Sequence, residues 1–190
     1  MKKFLIGLIV GVLLIPALFI AYLVSGRMPV ATSDPPMPLE KFLARAGLYE
    51  RIRRDAPKRE VSSFTTTDLM SGAEIYRKDC AFCHGLPDQE NIGAAPNGMF
   101  PDPPMLFSPM GEVTDDPPGV TYWKVKNGIR LTGMPGFHAS LSDKQMWQVT
   151  ALVARADKLP PEVLGALKPA TPAVPSSAGA AVPPSGQQKR

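Results

Sequence analysis

Cys80-Ala81-Phe82-Cys83-His84 is the stretch on which the reading of this 190-residue chain turns. The chain has two cysteines and both are here, three positions apart. So tight a spacing argues against a disulfide framework and for a local chemical use of both sulfurs. A redox dithiol would need a βαβ setting, and strand signals are absent throughout. A structural zinc site needs four ligands, and the Cys and His of the whole chain are Cys80, Cys83, His84 and His138. Adjacent Cys83 and His84 would strain one tetrahedron. Covalent haem attachment fits better, because C-x-x-C-H is its signature. Two residues between the cysteines let their sulfurs reach the two vinyl groups of one haem, and the adjoining imidazole lies under the iron. The motif thus predicts one haem c held through Cys80 and Cys83, with His84 on the iron. Covalent attachment also suits a small domain whose limited burial would risk losing a free cofactor.

Outward from the motif the pattern is helical. A helix starting near Thr67 places Leu69, Gly72, Ala73, Tyr76, Cys80 and Cys83 along one face at steps of three and four. Residues 87–119 contain eight prolines and no sustained period, so they read as a long loop, which in a compact domain needs something to wrap. A short helix over Tyr122 to Lys126 follows, stopped by Asn127-Gly128. The last helix is the best marked. Ser142 is its N-cap, Gln145 completes a capping box, and Leu141 with Met146 makes a hydrophobic staple. Met146, Val149, Thr150 and Val153 line one face, with Trp147 and Leu152 beside it, until Pro160-Pro161 bars continuation. The fold class predicted is all-α.

Over about residues 65–160 these elements resemble the class I cytochrome c family, whose N- and C-terminal helices cross and whose long loops surround the haem. Gly72-Ala73-Glu74-Ile75-Tyr76 is similar to the family's glycine-plus-aromatic N-terminal helix. The resemblance implies that Gly72 lets the two helices approach closely, with Trp147 or its neighbours over it. Ala95-Pro96-Asn97 resembles the proline segment that follows the haem motif. By that likeness the Pro96 carbonyl accepts the Nδ1 proton of His84 and raises its basicity. Thr132-Gly133-Met134-Pro135-Gly136-Phe137 resembles the axial-methionine loop and implies Met134 as second iron ligand. A thioether favours ferrous iron, and two filled axial positions favour electron transfer over catalysis, so no catalytic residue is expected. The chain has nine methionines, and any one alone is weak; Gly-Met-Pro between the short helix and the last one is more specific. His138 is the alternative to Met134, because imidazole is also a common haem ligand, with Met99, Met105 and Met110 behind it. Trp123 and Arg130 are candidate propionate contacts, although a core aromatic and a surface charge explain them equally well.

The flanks divide the chain into four parts. Residues 1–25 hold a charge-free run from Phe4 to Val24, preceded by Lys2 and Lys3, long enough for a transmembrane helix. A signal peptide would have a shorter apolar region, so an uncleaved anchor is expected, with a cleaved signal peptide and a soluble periplasmic protein as the alternative. Residues 26–62 form a linker containing a candidate amphipathic helix, in which Leu39, Phe42, Leu43, Ala46, Leu48 and Tyr49 recur among many charges. A membrane-surface or partner-docking helix and a solvated spacer are both open readings. Residues 63–165 are the haem domain. Residues 166–190, rich in Pro, Ala, Ser and Gly, cannot bury enough surface to offset chain entropy and should be disordered.

The formal net charge of +4 conceals an acidic domain. Residues 61–168 carry nine Lys and Arg against twelve Asp and Glu, whereas residues 27–60 carry eight against five. The domain has no electrostatic footprint for nucleic acid. The resemblance implies a bacterial protein tethered by residues 4–24 to the cytoplasmic membrane, its haem domain in the periplasm, passing single electrons between donors and acceptors at the membrane, with no small-molecule substrate. A fixed cytochrome c subunit of a larger oxidoreductase is the second reading, and a haem-based gas sensor or peroxidase, which needs an open axial site, the third.

Overall fold

The structure, a computed structural model, describes residues 1–88, 94–107 and 115–168. These residues form α1 (Lys2–Val24), α2 (Glu40–Asp55), α3 (Thr66–Asp79), α4 (Ala81–His84), α5 (Ala94–Asn97), α6 (Pro118–Asn127), α7 (Asp143–Val153) and α8 (Pro161–Leu167). No strand occurs among them, as an all-α chain requires. Met110 and residues 169–190 of the tail lie outside the described residues. The uncharged N-terminal run forms α1, whose mean hydropathy reaches 2.9 and none of whose residues is buried. It is long and apolar enough to cross a membrane.

Side-chain caps fix the two helices that build the core. At the start of α3 the Thr65 hydroxyl accepts from the Asp68 amide at 3.3 Å, and the Asp68 carboxylate accepts from the Thr65 amide at 3.1 Å. Ser142 and Gln145 do the same for α7, with the Ser142 hydroxyl accepting at 3.3 Å and Gln145 Oε1 accepting at 2.9 Å. Ser142→Ala should lower stability by about 1 kcal/mol, the usual worth of an N-cap. Chemical denaturation reads this directly; an unchanged midpoint would mean that the α7 start is held by packing alone.

α3 and α7 cross at Gly72. A Cβ there would stand 2.5 Å from the Gln148 carbonyl oxygen and 3.3 Å from Leu152 Cβ. The residues over Gly72 are therefore Gln148 and Leu152, and Gln148 Nε2 also donates to Asp68 Oδ1 at 3.0 Å. Trp147 faces elsewhere, stacking on Tyr122 of α6 with centroids 4.2 Å apart. α6 begins at Pro118, four residues before the expected Tyr122, because a proline at the first turn has no intrahelical donor to lose.

The packed body is longer at both ends than residues 63–165. After Pro160-Pro161 the chain starts α8, and Val163 and Leu167, four residues apart, are fully buried. α8 packs on α3, where Arg77 Nη1 donates to the Ala166 carbonyl at 3.2 Å. The proline pair ends one helix and opens the next. At the other end residues 56–64 form a strap over α6 and α7. The Pro57 carbonyl fits against Gly119, where a Cβ would lie 1.9 Å from it. Arg155 donates from both terminal nitrogens to the Val61 and Phe64 carbonyls, and the Arg59 guanidinium sits 4.7 Å from the Trp147 ring centroid. Ile52 of α2 is 3% exposed and Val61 7%. These residues, expected within a linker, belong to the core because distant partners hold them.

Candidate haem site

α3 runs into the motif with almost no break, since Cys80 ends α3 and caps α4. The Cys80 carbonyl accepts from the Cys83 amide at 3.1 Å and from the His84 amide at 3.0 Å. That single turn puts both sulfurs and the imidazole on one short scaffold. Gly85 ends it at φ +70°, a conformation that favours glycine. Both cysteines are free and partly exposed. Burial, with Asp79 and Cys83 adding, pushes the Cys80 thiol up to about 12, so it is a neutral thiol at ordinary pH.

Tyr76 is the residue that sequence reasoning undervalued. It is fully buried, its ring meets Phe107 edge-on at 4.9 Å, and its hydroxyl donates to the Gly85 carbonyl at 2.7 Å and the His84 carbonyl at 3.2 Å. Burial, then the Cys80 sulfur, raises its pKa, so the phenol stays a donor. The helical stripe marked Tyr76 as core; its hydroxyl, unusual on such a stripe, was the available signal. Tyr76→Phe leaves the Gly85 carbonyl without this partner, while His84 keeps the Leu106 amide at 3.3 Å. A loss of about 1–3 kcal/mol is expected, the cost of an unsatisfied buried acceptor. Thermal melting of the haem-loaded protein checks it; unaltered melting would mean that water takes the hydroxyl's place.

His84 points Nδ1 at a proline carbonyl, but at that of Pro104, 2.7 Å away, and not that of Pro96. Pro96 is buried in α5, and its carbonyl accepts from the Met99 amide at 3.1 Å. The Leu106 amide on the His84 carbonyl draws residues 104–106 alongside α4, which brings Pro104 to the ring. With Nδ1 donating, Nε2 is left as the metal-facing nitrogen. Burial lowers the His84 pKa, partly opposed by the Pro104 bond, so the ring is a neutral ligand.

Met134 lies partly buried against the core, in a loop closed by its own hydrogen bonds. Its carbonyl accepts from the Ile129 amide at 3.2 Å, and its amide donates to Thr132 Oγ1 at 3.1 Å. Gly128, at φ +67°, lets the two arms of the loop touch, since a Cβ there would be 2.6 Å from the Gly136 amide nitrogen. Phe137 then pairs its amide with the Val125 carbonyl at 2.9 Å. His138 is exposed, with Nδ1 3.2 Å from the Lys126 carbonyl. Met99 lies against the loop, because a Cβ on Gly133 would meet its sulfur at 2.9 Å.

Trp123 is partly buried and Arg130 exposed. Among the described residues neither makes a side-chain hydrogen bond. Trp123 lines a groove of about 450 Å³ with Arg51, Pro57, Tyr122 and Trp147, on the strap side of α6. Cys80, Cys83, His84 and His138 do not converge on a common centre, and no group of three or more His, Cys, Asp or Glu suited to a metal ion forms among the described residues. Two free thiols and an imidazole with Nε2 available, carried on one turn, fit the covalent attachment of one haem c.

Residues 67–153 match the family described as cytochrome c oxidase, cbb3-type, subunit III. The chain is also 36% identical over 87 residues to the cytochrome c subunit of a quinone alcohol dehydrogenase from Gluconobacter oxydans. That match takes in 42% of this chain and 16% of the relative, so the chain spans a small part of that protein. No solved structure matches.

Proposed function

With residues 67–153 a c-type cytochrome domain, we propose that this chain is a membrane-tethered monohaem electron carrier, passing single electrons between redox partners on the periplasmic side. Bound here, haem c supplies a reversible one-electron couple. The chain's own residues do the rest. Cys80 and Cys83 hold the group by thioether bonds, and Tyr76 steadies the turn that carries them. The Pro104 carbonyl fixes the His84 ring and increases its donor strength. Met134 would supply a second, thioether ligand, which would raise the potential relative to a second histidine and leave no ligand site for small substrates. His138, exposed and turned to Lys126, is the weaker candidate. Exposed Arg130 and partly buried Trp123 would donate to the haem propionates.

The observation that carries this reading is the 2.7 Å bond from His84 to Pro104 beside two free thiols. A haemochrome spectrum of the purified protein tests it: one haem c per chain is expected, surviving acid-acetone extraction, and extractable haem would sink the proposal. α1 is read as an uncleaved span, with the N-terminus inside and the haem domain outside.

A fixed subunit of a larger membrane oxidoreductase is the second reading, favoured by the relative's role as a cytochrome c subunit. Extraction in mild detergent separates the two. A stoichiometric partner supports the subunit, and a freely migrating monomer supports the carrier.

A further inference from the structure

α2 carries an apolar stripe that nothing among the described residues covers. Leu39 at its N-cap, Phe42, Leu43 and Tyr49 are each well exposed, from 59% at Tyr49 to 69% at Leu39. At about 100° per residue they fall within roughly 120° of one another, with Ala46 between them, until Glu50 and Arg53 enter the same arc and end the stripe at Tyr49. The side next to Tyr49 is already committed. Ile52 is buried, α2 packs on α6, and the strap that leaves α2 is held by Gly119 and Arg155. The helix therefore moves with the haem domain, and its stripe cannot turn inward.

Distance and charge indicate the occupant. The stripe begins where the chain from α1 ends, and residues 25–39 reach at most about 50 Å fully extended. A domain anchored by α1 therefore stays near the bilayer surface. α2 has five cations against three carboxylates. Arg51, Arg53 and Arg54 pair within the helix, whereas Lys41 and Arg45, both on the Ile52 side of the stripe, stand outside those pairs. Exposed apolar side chains with cations to one side suit a helix lying in a lipid interface. The domain behind α2 has the opposite sign, nine cations against twelve carboxylates over residues 61–168. An anionic membrane attracts α2 and repels the rest, which selects one orientation.

We infer that α2 lies in the headgroup layer of an anionic phospholipid bilayer, with Leu39, Phe42, Leu43 and Tyr49 toward the acyl chains, and that it fixes the orientation of the haem domain to the membrane. This rests on reading α1 as an uncleaved span. The length that sets the domain's reach is then residues 25–39, not 25–60.

The test uses the full haem-loaded chain, reduced, in vesicles of phosphatidylethanolamine and phosphatidylglycerol. A nitroxide is placed by Leu43→Cys or, on the opposite side of the helix, by Ala44→Cys; the native cysteines are occupied by haem. The ratio of oxygen to nickel-chelate collision should be several-fold higher at position 43 than at 44. Equal ratios in a chain of full intact mass overturn the α2 assignment alone. Dipolar broadening between labels at position 43 would put a second copy on the face and overturn it too. An intact mass lacking residues 1–25 overturns the anchor reading, and this inference with it.

Discussion

Met134→Ala should remove the methionine-sulfur charge-transfer feature from the ferric spectrum, lower the reduction potential and let the reduced protein bind carbon monoxide rapidly. Each effect has the same cause. A soft thioether stabilises ferrous iron, so its loss favours the ferric state, and the vacated position accepts an outside ligand. The loop around Met134 is closed by the Ile129 and Thr132 hydrogen bonds and by the touching arms at Gly128 and Gly136. Its backbone should therefore survive the substitution, and the effect should be local. Met99 supplies the control, because its sulfur lies against Gly133. If Met134→Ala leaves the charge-transfer feature in place and Met99→Ala abolishes it, the ligand is Met99. Rapid carbon monoxide binding by the unsubstituted protein would instead favour a sensor or peroxidase.

Gly72→Val should be among the most damaging single changes in the domain. Its Cβ would come 2.5 Å from the Gln148 carbonyl oxygen and 2.9 Å from the carbonyl carbon. Both are backbone atoms of α7, so no side chain can swing aside and the helices must part. Replacing a helical glycine would otherwise gain up to about 1 kcal/mol of propensity. The clash wins, because overpacking a tight core costs about 1–3 kcal/mol and more where backbone must shift. The melting temperature should fall by several degrees for each kcal/mol, roughly 4–8 °C in a domain of this size. Melting at or above the parent value would show that α3 and α7 can separate freely.

What was legible in the sequence was what neighbouring residues decide. The capping box at Ser142 and Gln145, the stop at Asn127-Gly128 and the stripe from Leu69 to Tyr76 depend on spacings of three or four residues, and all are present. Gly72 was legible as well, although its partner proved to be Gln148, because a helix face specifies a direction and not a contact. The Pro96 assignment failed for a related reason. Several prolines follow the motif, and which carbonyl meets His84 depends on the path of a long loop, fixed here by the Leu106 amide. Strap residues 56–62 read as linker and residues 166–167 of α8 as tail because their partners, Arg155 and Arg77, lie far away in sequence. Neither segment has a period of its own to announce it.

The strap also separates ancestry from foldability. The stretch that carries the family likeness, residues 67–153, stops short of Arg155 and begins after Pro57, Val61 and Phe64. Grafted alone into another protein, it would keep the haem motif and lose the cover over Trp147 and the helix that buries Val163 and Leu167. The stretch that matches the family is shorter than the packed body around it. A graft intended to carry electrons elsewhere should be cut near Ile52 and Leu167.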